Sequence, residues 1–383
     1  MPTRSALPRL MAAMAALTCV VAVFVTTGRG GVAARSPVGD LVSERTVPGA
    51  AQLSQDAHGA ARFSTAGVAD LRTGRPIRLT DRFRAGSITK TVIAVVVLQL
   101  AAERRLNLDD PAAEHLPAAA AAALHRAGAG GPPVTVRQLL THTSGLFSYT
   151  DDRPFGRRVF GQGFATHRYE SHTPDALLRT ALAHPPYAPP GQRYGYSNTG
   201  YLLLGMVIRQ VTGHSYAAEA RRRVITPLRL AGTTFPGVRL TLPAPHGRAY
   251  SASGRLRADA LTDVTDLNPS AAGAAGELVS TLPDLNRFFA ALLGGALLPP
   301  PQLRAMRDTT ASGGRYGMGL FPVRLPCHRT VWGHNGEING SYVQTLGTAD
   351  GRRVVSYRTN SDTHIPQRAE TRLLRAAFCP TGA

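Results

Sequence analysis

The sequence predicts an α/β (α+β) protein, in which helices flank an antiparallel sheet and a mainly helical lobe is inserted into it. Short apolar stretches broken by turn residues occupy 48–85, and similar segments return near the C-terminus at 316–321, 329–333, 341–347 and 353–359. That pattern is typical of antiparallel strands joined by turns. Because these segments occupy both ends of the chain, we expect them to join into one sheet.

Helical segments separated by Pro- and Gly-rich loops lie between the two groups of strands. After a first helix from Ser87 to about Glu103, the predicted helices there are 112–126, 134–141, 174–184, 199–213 and 283–293, and a last helix at 366–378 follows the final strand. Gly273 to Gly276 reads as a flexible turn. We expect a helical lobe over about 107–235 and an α/β lobe made of 48–106 and 270–380, with the active site where the lobes meet.

The N-terminus has the pattern of a secretory signal peptide over residues 1–34. Arg4 and Arg9 precede the apolar run Leu10–Val25, and Val32-Ala33-Ala34 offers a small-residue cleavage site. The alternative is an uncleaved anchor, although the run is shorter than a typical membrane span. We therefore expect a secreted, extracellular protein with no membrane span after cleavage, in which 35–47 is a linker and 48–380 is the folded domain.

The chain is strongly basic, with 43 Lys+Arg against 24 Asp+Glu and a formal net charge of +19. Such a charge attracts anionic polymers, which outside a cell include those of the cell wall. The alternative is that the charge reflects composition and solubility alone. No nucleic-acid-binding motif accompanies it, so we expect no nucleic-acid partner, and we expect a monomer.

Two cysteines, Cys327 and Cys379, remain once the leader is removed. In an exported protein such a pair is expected to form a disulfide bond, here one that ties the C-terminal tail to the body. The sequence contains neither a CxxC pair nor an HExxH motif, so we expect no metal site and no cofactor.

The most informative stretch is Ser87-Ile88-Thr89-Lys90, because Lys90 is the only lysine in the chain. A desolvated lysine can give up its proton, whereas arginine cannot at any useful pH. At i and i+3 on a helix, the Ser87 hydroxyl and the Lys90 amine share one face. An amine that accepts a proton from a neighbouring serine makes that serine nucleophilic.

The helix that begins at Ser87 and extends to about Glu103 is predicted to be central and buried. Its body, Val92–Leu98, is apolar on every side, which indicates burial all round. Burial would lower the pKa of Lys90. The positive end of the helix dipole would stabilise negative charge that develops near Ser87.

Two further segments could supply partners for the serine. In Tyr194-Gly195-Tyr196-Ser197-Asn198, the Tyr196 phenol and the Asn198 amide are two residues apart and would face one cavity in an extended loop. The phenol could shuttle protons if a nearby ammonium held it as phenolate. In Trp332-Gly333-His334-Asn335-Gly336, small residues beside His334 would let the backbone approach a ligand. Each segment alone could equally be an ordinary aromatic or glycine-rich loop.

Taken in order, the three segments resemble the S-x-x-K, Y-x-N and K/H-x-G motifs of the class C serine β-lactamases and the related secreted D-alanyl-D-alanine carboxypeptidases. The resemblance extends over roughly residues 45–378. Its landmarks are Arg84–Lys90, Leu139–Leu146, Pro190–Tyr201 and Gly333–Gly336. It implies a β-lactamase/transpeptidase-like fold and a penicillin-recognising serine hydrolase.

By position, the resemblance implies that Ser87 forms the acyl-enzyme and that Lys90 and Tyr196 share the base role and return a proton to the leaving group. Asn198 would hold the substrate amide. His334 would replace the lysine of many relatives and complete the electrostatics around Tyr196.

The resemblance also implies an oxyanion hole made by the backbone N–H groups of Ser87 and Glu337, beside a substrate-binding strand that includes Asn335 and Gly336. His142 to Gly145 would be a structural turn under the site. Two residues depart from the family pattern. Asn335 stands where carboxypeptidases often have threonine, and Glu337 stands where many relatives have a small residue.

The function that this resemblance implies first is a D-alanyl-D-alanine carboxypeptidase that acts on peptidoglycan peptides. A class C-type β-lactamase or an esterase on the same scaffold is the alternative, because both departures lie in the substrate-binding strand. A non-catalytic penicillin-binding or sensor protein is the alternative of another class. The expected substrates are peptides, β-lactams or small esters.

Overall fold

A computed structural model describes residues 23–25, 36–43, 46–127, 131–252, 261–363 and 365–379. At its centre lies a seven-stranded sheet, accompanied by two short two-stranded pairs. The strands are β1 Val23–Val25, β2 Gly49–Gln55, β3 Ala61–Gly67, β4 Phe83–Arg84, β5 Tyr250–Ser251, β6 Thr262–Asp263, β7 Val279–Ser280, β8 Phe321–Arg324, β9 Thr330–Ile338, β10 Ser341–Gly347 and β11 Val354–Thr359.

The order of strands in the large sheet is β1-β3-β2-β11-β10-β9-β8. All neighbours are antiparallel except β1, which runs parallel to β3. The N-terminal and C-terminal strands meet where β2 pairs with β11, with Gln52 opposite Tyr357. This pairing confirms the prediction that strands from both ends of the chain form one antiparallel sheet.

Helices cover the sheet and fill the interval between β4 and β7. They are α1 Ile88–Ala102, α2 Ala118–Ala127, α3 Val136–Leu140, α4 Arg153–Val159, α5 Phe164–His167, α6 Pro174–Leu182, α7 Asn198–Thr212, α8 Tyr216–Ala220, α9 Leu282–Leu293, α10 Pro300–Arg307 and α11 Gln367–Phe378. A π-helical turn, Arg221–Ile225, continues α8. Among the described residues, no helix is both long and apolar enough to cross a membrane.

Helix α1 is the centre of the main hydrophobic core. Every residue from Ile88 to Leu98 is buried, as the apolar run predicts. The helix packs against β9 of the sheet and against α7 and α8 of the inserted segment. Because it joins the sheet to the helices, its N-terminus lies where both can contribute side chains.

A second core on the other face of the sheet includes the segment that the sequence analysis interprets as a linker. Val38 and Leu41 are buried there against α11, and a short 3-10 helix spans Gly39–Leu41. Asp40 pairs with Arg372 of α11 at 3.4 Å. The linker prediction for 35–47 is therefore wrong over the described residues, since two apolar side chains secure the segment to the fold.

The predicted cysteine pair is bonded in the structure, with the Cα atoms of Cys327 and Cys379 separated by 5.9 Å. Cys327 lies in the turn between β8 and β9, and Cys379 ends α11. The bond thus ties the C-terminal helix to the strand that carries His334. The predicted leader, apart from Val23–Val25, lies outside the described residues.

Three local predictions differ from the structure. Of the predicted strand 316–321, only Phe321 is in a strand, because Gly319 adopts a φ of +76° where its carbonyl accepts a hydrogen bond from Thr91. The segment Gly273–Ala275 is a 3-10 helix packed in the interior and not a flexible turn. Strand β9 continues to Ile338, so His334 lies within the strand and not at its end.

Candidate active site

Ser87 and Lys90 meet at the N-terminus of α1, as their spacing predicts. Lys90 Nζ lies 2.9 Å from Ser87 Oγ and donates a hydrogen bond of 2.7 Å to the carbonyl of Ala275. Lys90 has no exposed surface, whereas Ser87 is half-buried and reachable from solvent. A substrate can therefore reach the Ser87 hydroxyl, whereas the Lys90 amine is shielded from solvent.

The environment of Lys90 favours the uncharged amine. Burial lowers the pKa of Lys90 well below its ordinary value. Among the described residues no carboxylate forms an ion pair with it, and its nearest ring neighbours are Tyr196 and Tyr201, with centroids 4.9 and 5.7 Å from Nζ. A neutral amine at hydrogen-bonding distance can accept the proton of Ser87.

Tyr196 is the second hydrogen-bond partner of the Ser87 side chain. Its side chain hydrogen bonds to Ser87, and burial raises the pKa of the phenol well above its ordinary value. Burial acts on both groups in the direction that disfavours a phenolate, because it lowers the pKa of Lys90 and raises that of Tyr196. Tyr196 is therefore a protonated donor in this state, able to pass its proton to a leaving group.

The backbone around Ser87 lies against strand β9. A Cβ added to Gly336 would lie 1.9 Å from Ala85 O and 2.9 Å from Ser87 N, and one added to Gly86 would lie 2.6 Å from Glu337 N. Both positions exclude any side chain. This close approach puts the Ser87 and Glu337 N–H groups on adjoining segments, which supports their predicted role as oxyanion donors.

His334 lies in the interior beside this pair, but it is not a replacement cation. Burial lowers the pKa of His334 to about 3, so the ring is neutral at neutral pH. Its Nε2 is 2.8 Å from the Tyr316 hydroxyl, and its Nδ1 contacts the carbonyl of Asn335. That His334 completes the electrostatics around Tyr196 stays a prediction, and burial means that the ring would do so without a positive charge.

Tyr316 is a site residue that the sequence analysis did not identify. It is buried, hydrogen bonds to His334 and shares a hydrogen bond with Tyr201. It lies in the segment predicted to be a strand, where no motif distinguishes it. Its contact with His334 depends on how the segment before β8 folds onto β9.

The lowered pKa of His334 predicts a measurable dependence of stability on pH. The unfolded histidine gains a proton below pH 6.5, whereas the folded one does not until about pH 3. The contribution of neutral His334 to the free energy of unfolding is therefore fully present above pH 6.5, and it is lost as the pH falls toward 3. Between pH 7 and 4.5 we expect wild type to lose about 2 kcal/mol more unfolding free energy than His334→Gln.

Urea denaturation at the two pH values measures this difference, and His125→Gln, at an exposed position in α2, is the matched control. The control should keep the wild-type pH dependence. Equal pH dependence in wild type and His334→Gln would contradict the neutral, buried state of the ring.

Asn198 is the first residue of α7 and belongs to a polar cluster. Its Nδ2 donates a 3.0 Å hydrogen bond to Thr150 Oγ1, and its backbone N–H donates one of 3.1 Å to Ser148 Oγ. These bonds fix the position of Asn198 at the start of α7, two residues after Tyr196. Its role in holding a substrate amide stays a prediction.

Asn335 and Glu337 alternate along β9 with His334 and Gly336. The Asn335 side chain hydrogen bonds to Tyr342, which in turn contacts Glu370 of α11. The structure thus places the Asn335 amide with Tyr342 and not with the groups around Ser87. Glu337 is exposed. The substrate-binding roles of Asn335 and Glu337 stay predictions.

A reachable serine that is hydrogen-bonded to a buried lysine and to a buried tyrosine is the arrangement of a serine hydrolase. No group of three or more potential metal-ligating side chains occurs within the described residues. The chain belongs to the Beta-lactamase family, whose model matches residues 24–379. The fold is accordingly of the β-lactamase/transpeptidase type, as the motifs imply.

Solved structures of amide hydrolases are similar over most of the chain. A D-stereospecific amidohydrolase from Streptomyces sp. is 41% identical with a TM-score of 0.79, covering 90% of this chain and 98% of that one. The D-amino acid amidase from Ochrobactrum anthropi SV3, complexed with D-phenylalanine, is 25% identical with a TM-score of 0.73, covering 89% and 97%.

Two curated relatives have other names. Penicillin-binding protein 4 of Amycolatopsis lactamdurans is 32% identical over 65% of this chain and 60% of its own length. Esterase EstB of Burkholderia gladioli is 33% identical over 44% of this chain and 42% of its own length. The match thus spans less than two thirds of each of these proteins.

Proposed function

We propose that this protein hydrolyses amide or ester bonds of D-configured amino-acid derivatives through an acyl-enzyme on Ser87. The observation that carries the proposal is the reachable Ser87 hydroxyl, which is hydrogen-bonded both to the buried amine of Lys90 and to the buried phenol of Tyr196. Similarity to the Streptomyces D-stereospecific amidohydrolase over nearly the whole of both chains supports the substrate class.

Acylation begins when Lys90 Nζ accepts the proton of Ser87 Oγ, and the oxygen attacks the carbonyl carbon of the substrate. The carbonyl oxygen gains negative charge, which the N–H groups of Ser87 and Glu337 stabilise. As the bond to the leaving group breaks, Tyr196 donates its proton to that group and regains one from the Lys90 ammonium. The acyl-enzyme, the free leaving group and a neutral Lys90–Tyr196 pair result.

Deacylation uses the same groups in the reverse roles. Water loses a proton to the Lys90–Tyr196 pair as its oxygen attacks the ester carbonyl of the acyl-enzyme. Ser87 then leaves as its oxygen regains the proton. The products are a carboxylic acid and the original enzyme, so no cofactor enters the balance.

The neutral state of His334 favours substrates whose leaving group carries no carboxylate. A cation at this position could pair with the terminal carboxylate of a peptide, but the buried His334 ring is neutral. We therefore rank amides and esters ahead of D-alanyl-D-alanine peptides with a free carboxylate. Carboxypeptidase action is the second candidate, supported by the similarity to penicillin-binding protein 4.

We also propose that the protein acts outside the cytoplasm, because the basic and apolar N-terminal pattern accompanies a bonded Cys327–Cys379 pair. The net charge of +19 would favour association with anionic wall polymers. To test this proposal, the full chain is expressed in its host, and the N-terminus of the protein recovered from the medium and from the cells is sequenced. Retention of Met1 on cell-associated protein would contradict cleavage.

Steady-state kinetics on matched substrates test the proposed activity. The set comprises D- and L-phenylalanine amides, and an acylated D-alanyl-D-alanine peptide both as the free carboxylate and as its C-terminal amide. We expect kcat/KM for the D-amide to exceed that for the L-amide by about 100-fold or more, and the amidated peptide to exceed its carboxylate by about 10-fold. A preference for the carboxylate would replace this proposal with carboxypeptidase action.

A further inference from the structure

We propose that His142, just after α3, is a positioning residue that fixes Tyr196 for proton transfer at Ser87; this inference rests on the proposed function. His142 is only 1% exposed. Its backbone adopts a φ of +56°, a left-handed conformation that is uncommon for residues other than glycine. The surrounding contacts indicate why this strained position carries a histidine.

His142 holds the backbone on both sides of Tyr196. Its carbonyl accepts a 2.9 Å hydrogen bond from the Gly195 N–H, and its Nδ1 accepts a 3.2 Å hydrogen bond from the Ser197 N–H. The two bonds restrain the peptide units before and after the tyrosine. One of them requires a side-chain acceptor at the position of Nδ1.

The ring of His142 also packs on Tyr196 itself. The two ring centroids are 4.1 Å apart with an interplanar angle of 35°, and the rings of Tyr316 and Tyr201 lie 4.7 and 5.2 Å from the histidine. Tyr196 therefore has a fixed surface behind it while its hydroxyl bonds to Ser87. Backbone restraint and ring packing together determine where the phenol lies.

The hydrogen bond from Ser197 determines the state of the ring. A nitrogen that accepts a backbone N–H carries no proton, so the neutral ring has its proton on Nε2. Burial lowers the pKa of His142 well below its ordinary value. A neutral ring adds no charge beside Lys90, so it is compatible with an uncharged amine.

Nε2 of His142 is buried without a hydrogen-bond partner within the described part of the chain. Leaving a buried donor unpaired is unfavourable, and so is the left-handed backbone. Two unfavourable features at one residue, directly behind the tyrosine that contacts the nucleophile, are typical of a functional constraint. The proposal assigns that constraint to the placement of Tyr196.

Two substitutions of His142 test whether the acceptor for the Ser197 N–H is what matters at this position. In His142→Asn, Oδ1 can take the place of Nδ1, and asparagine tolerates the left-handed backbone. In His142→Gln, the amide lies one bond farther out and cannot accept from Ser197 in the same place. His125→Asn, at an exposed position in α2, is the control for loss of a histidine.

We expect His142→Gln to lower kcat for a D-amino acid amide by about 10- to 100-fold with little change in KM, because a small misplacement of a catalytic group has effects of this size. His142→Asn keeps the acceptor but loses the ring that packs on Tyr196, so its kcat should fall by less, about three- to tenfold, and its unfolding temperature should not be below that of His142→Gln. Equal losses in both variants, or losses confined to KM, would overturn the proposal.

Two measurements on the unmodified protein do not depend on how the variants fold. Histidine ring ¹⁵N shifts should place the proton on Nε2, and the Ser197 amide should be protected from hydrogen exchange. A proton on Nδ1 or a rapidly exchanging amide would overturn the proposal. If the protein does not hydrolyse D-amides, acylation by a penicillin followed by intact mass replaces kcat, so failure of the proposed substrate stays distinguishable from failure of this inference.

Discussion

Replacing Lys90 by methionine is expected to slow acylation of Ser87 by about 10³-fold, the scale of a lost general base. Methionine is unbranched and can occupy the same buried channel, but it cannot accept a proton. Because no carboxylate among the described residues forms an ion pair with Lys90, its removal leaves no uncompensated partner charge. Single-turnover acylation followed by intact mass measures the rate, and thermal unfolding checks the fold.

Lys90→Arg is the informative companion to this variant. A guanidinium cannot give up its proton and would introduce a permanent charge into a fully buried position. We therefore expect it to be as inactive as Lys90→Met and also less stable. Acylation by Lys90→Met within about tenfold of wild type would show that another group removes the serine proton.

Replacing Ser87 by alanine is expected to lower kcat by about 10⁴- to 10⁶-fold, as in other enzymes that lose a nucleophile. Ser87 is half-buried at the start of α1, so removal of one oxygen should leave the core intact. Ser64→Ala, in β3 and outside the site, is the matched control. A Ser87→Ala variant with more than about a hundredth of wild-type kcat would contradict the nucleophile assignment.

Much of the fold could be predicted because its strongest signals are local. The apolar run Val92–Leu98 identifies a buried helix without knowledge of its neighbours. The distance between Ser87 and Lys90 follows from helix geometry alone, since residues at i and i+3 share a face. A single lysine among many arginines then indicates the chemistry.

The rest of the site depends on tertiary contacts, which no local pattern encodes. The sequence predicts that His334 completes the electrostatics around Tyr196, but only the folded structure shows that its ring is buried and contacts Tyr316. His142 reads as part of a polar turn, and its contact with Tyr196 joins residues more than fifty positions apart. The sequence predicts a linker around Val38, because the helix on which Val38 packs, α11, lies at the other end of the chain.

The most direct test of the acyl-enzyme on Ser87 is to trap it and locate it. Wild type and Ser87→Ala are incubated with an activated D-phenylalanine ester and, separately, with a penicillin, quenched in acid, and analysed by intact mass and peptide mapping. We predict one adduct per chain, on the peptide that contains Ser87, and none on Ser87→Ala. Equal labelling of the alanine variant, or an adduct on another peptide, would contradict the account.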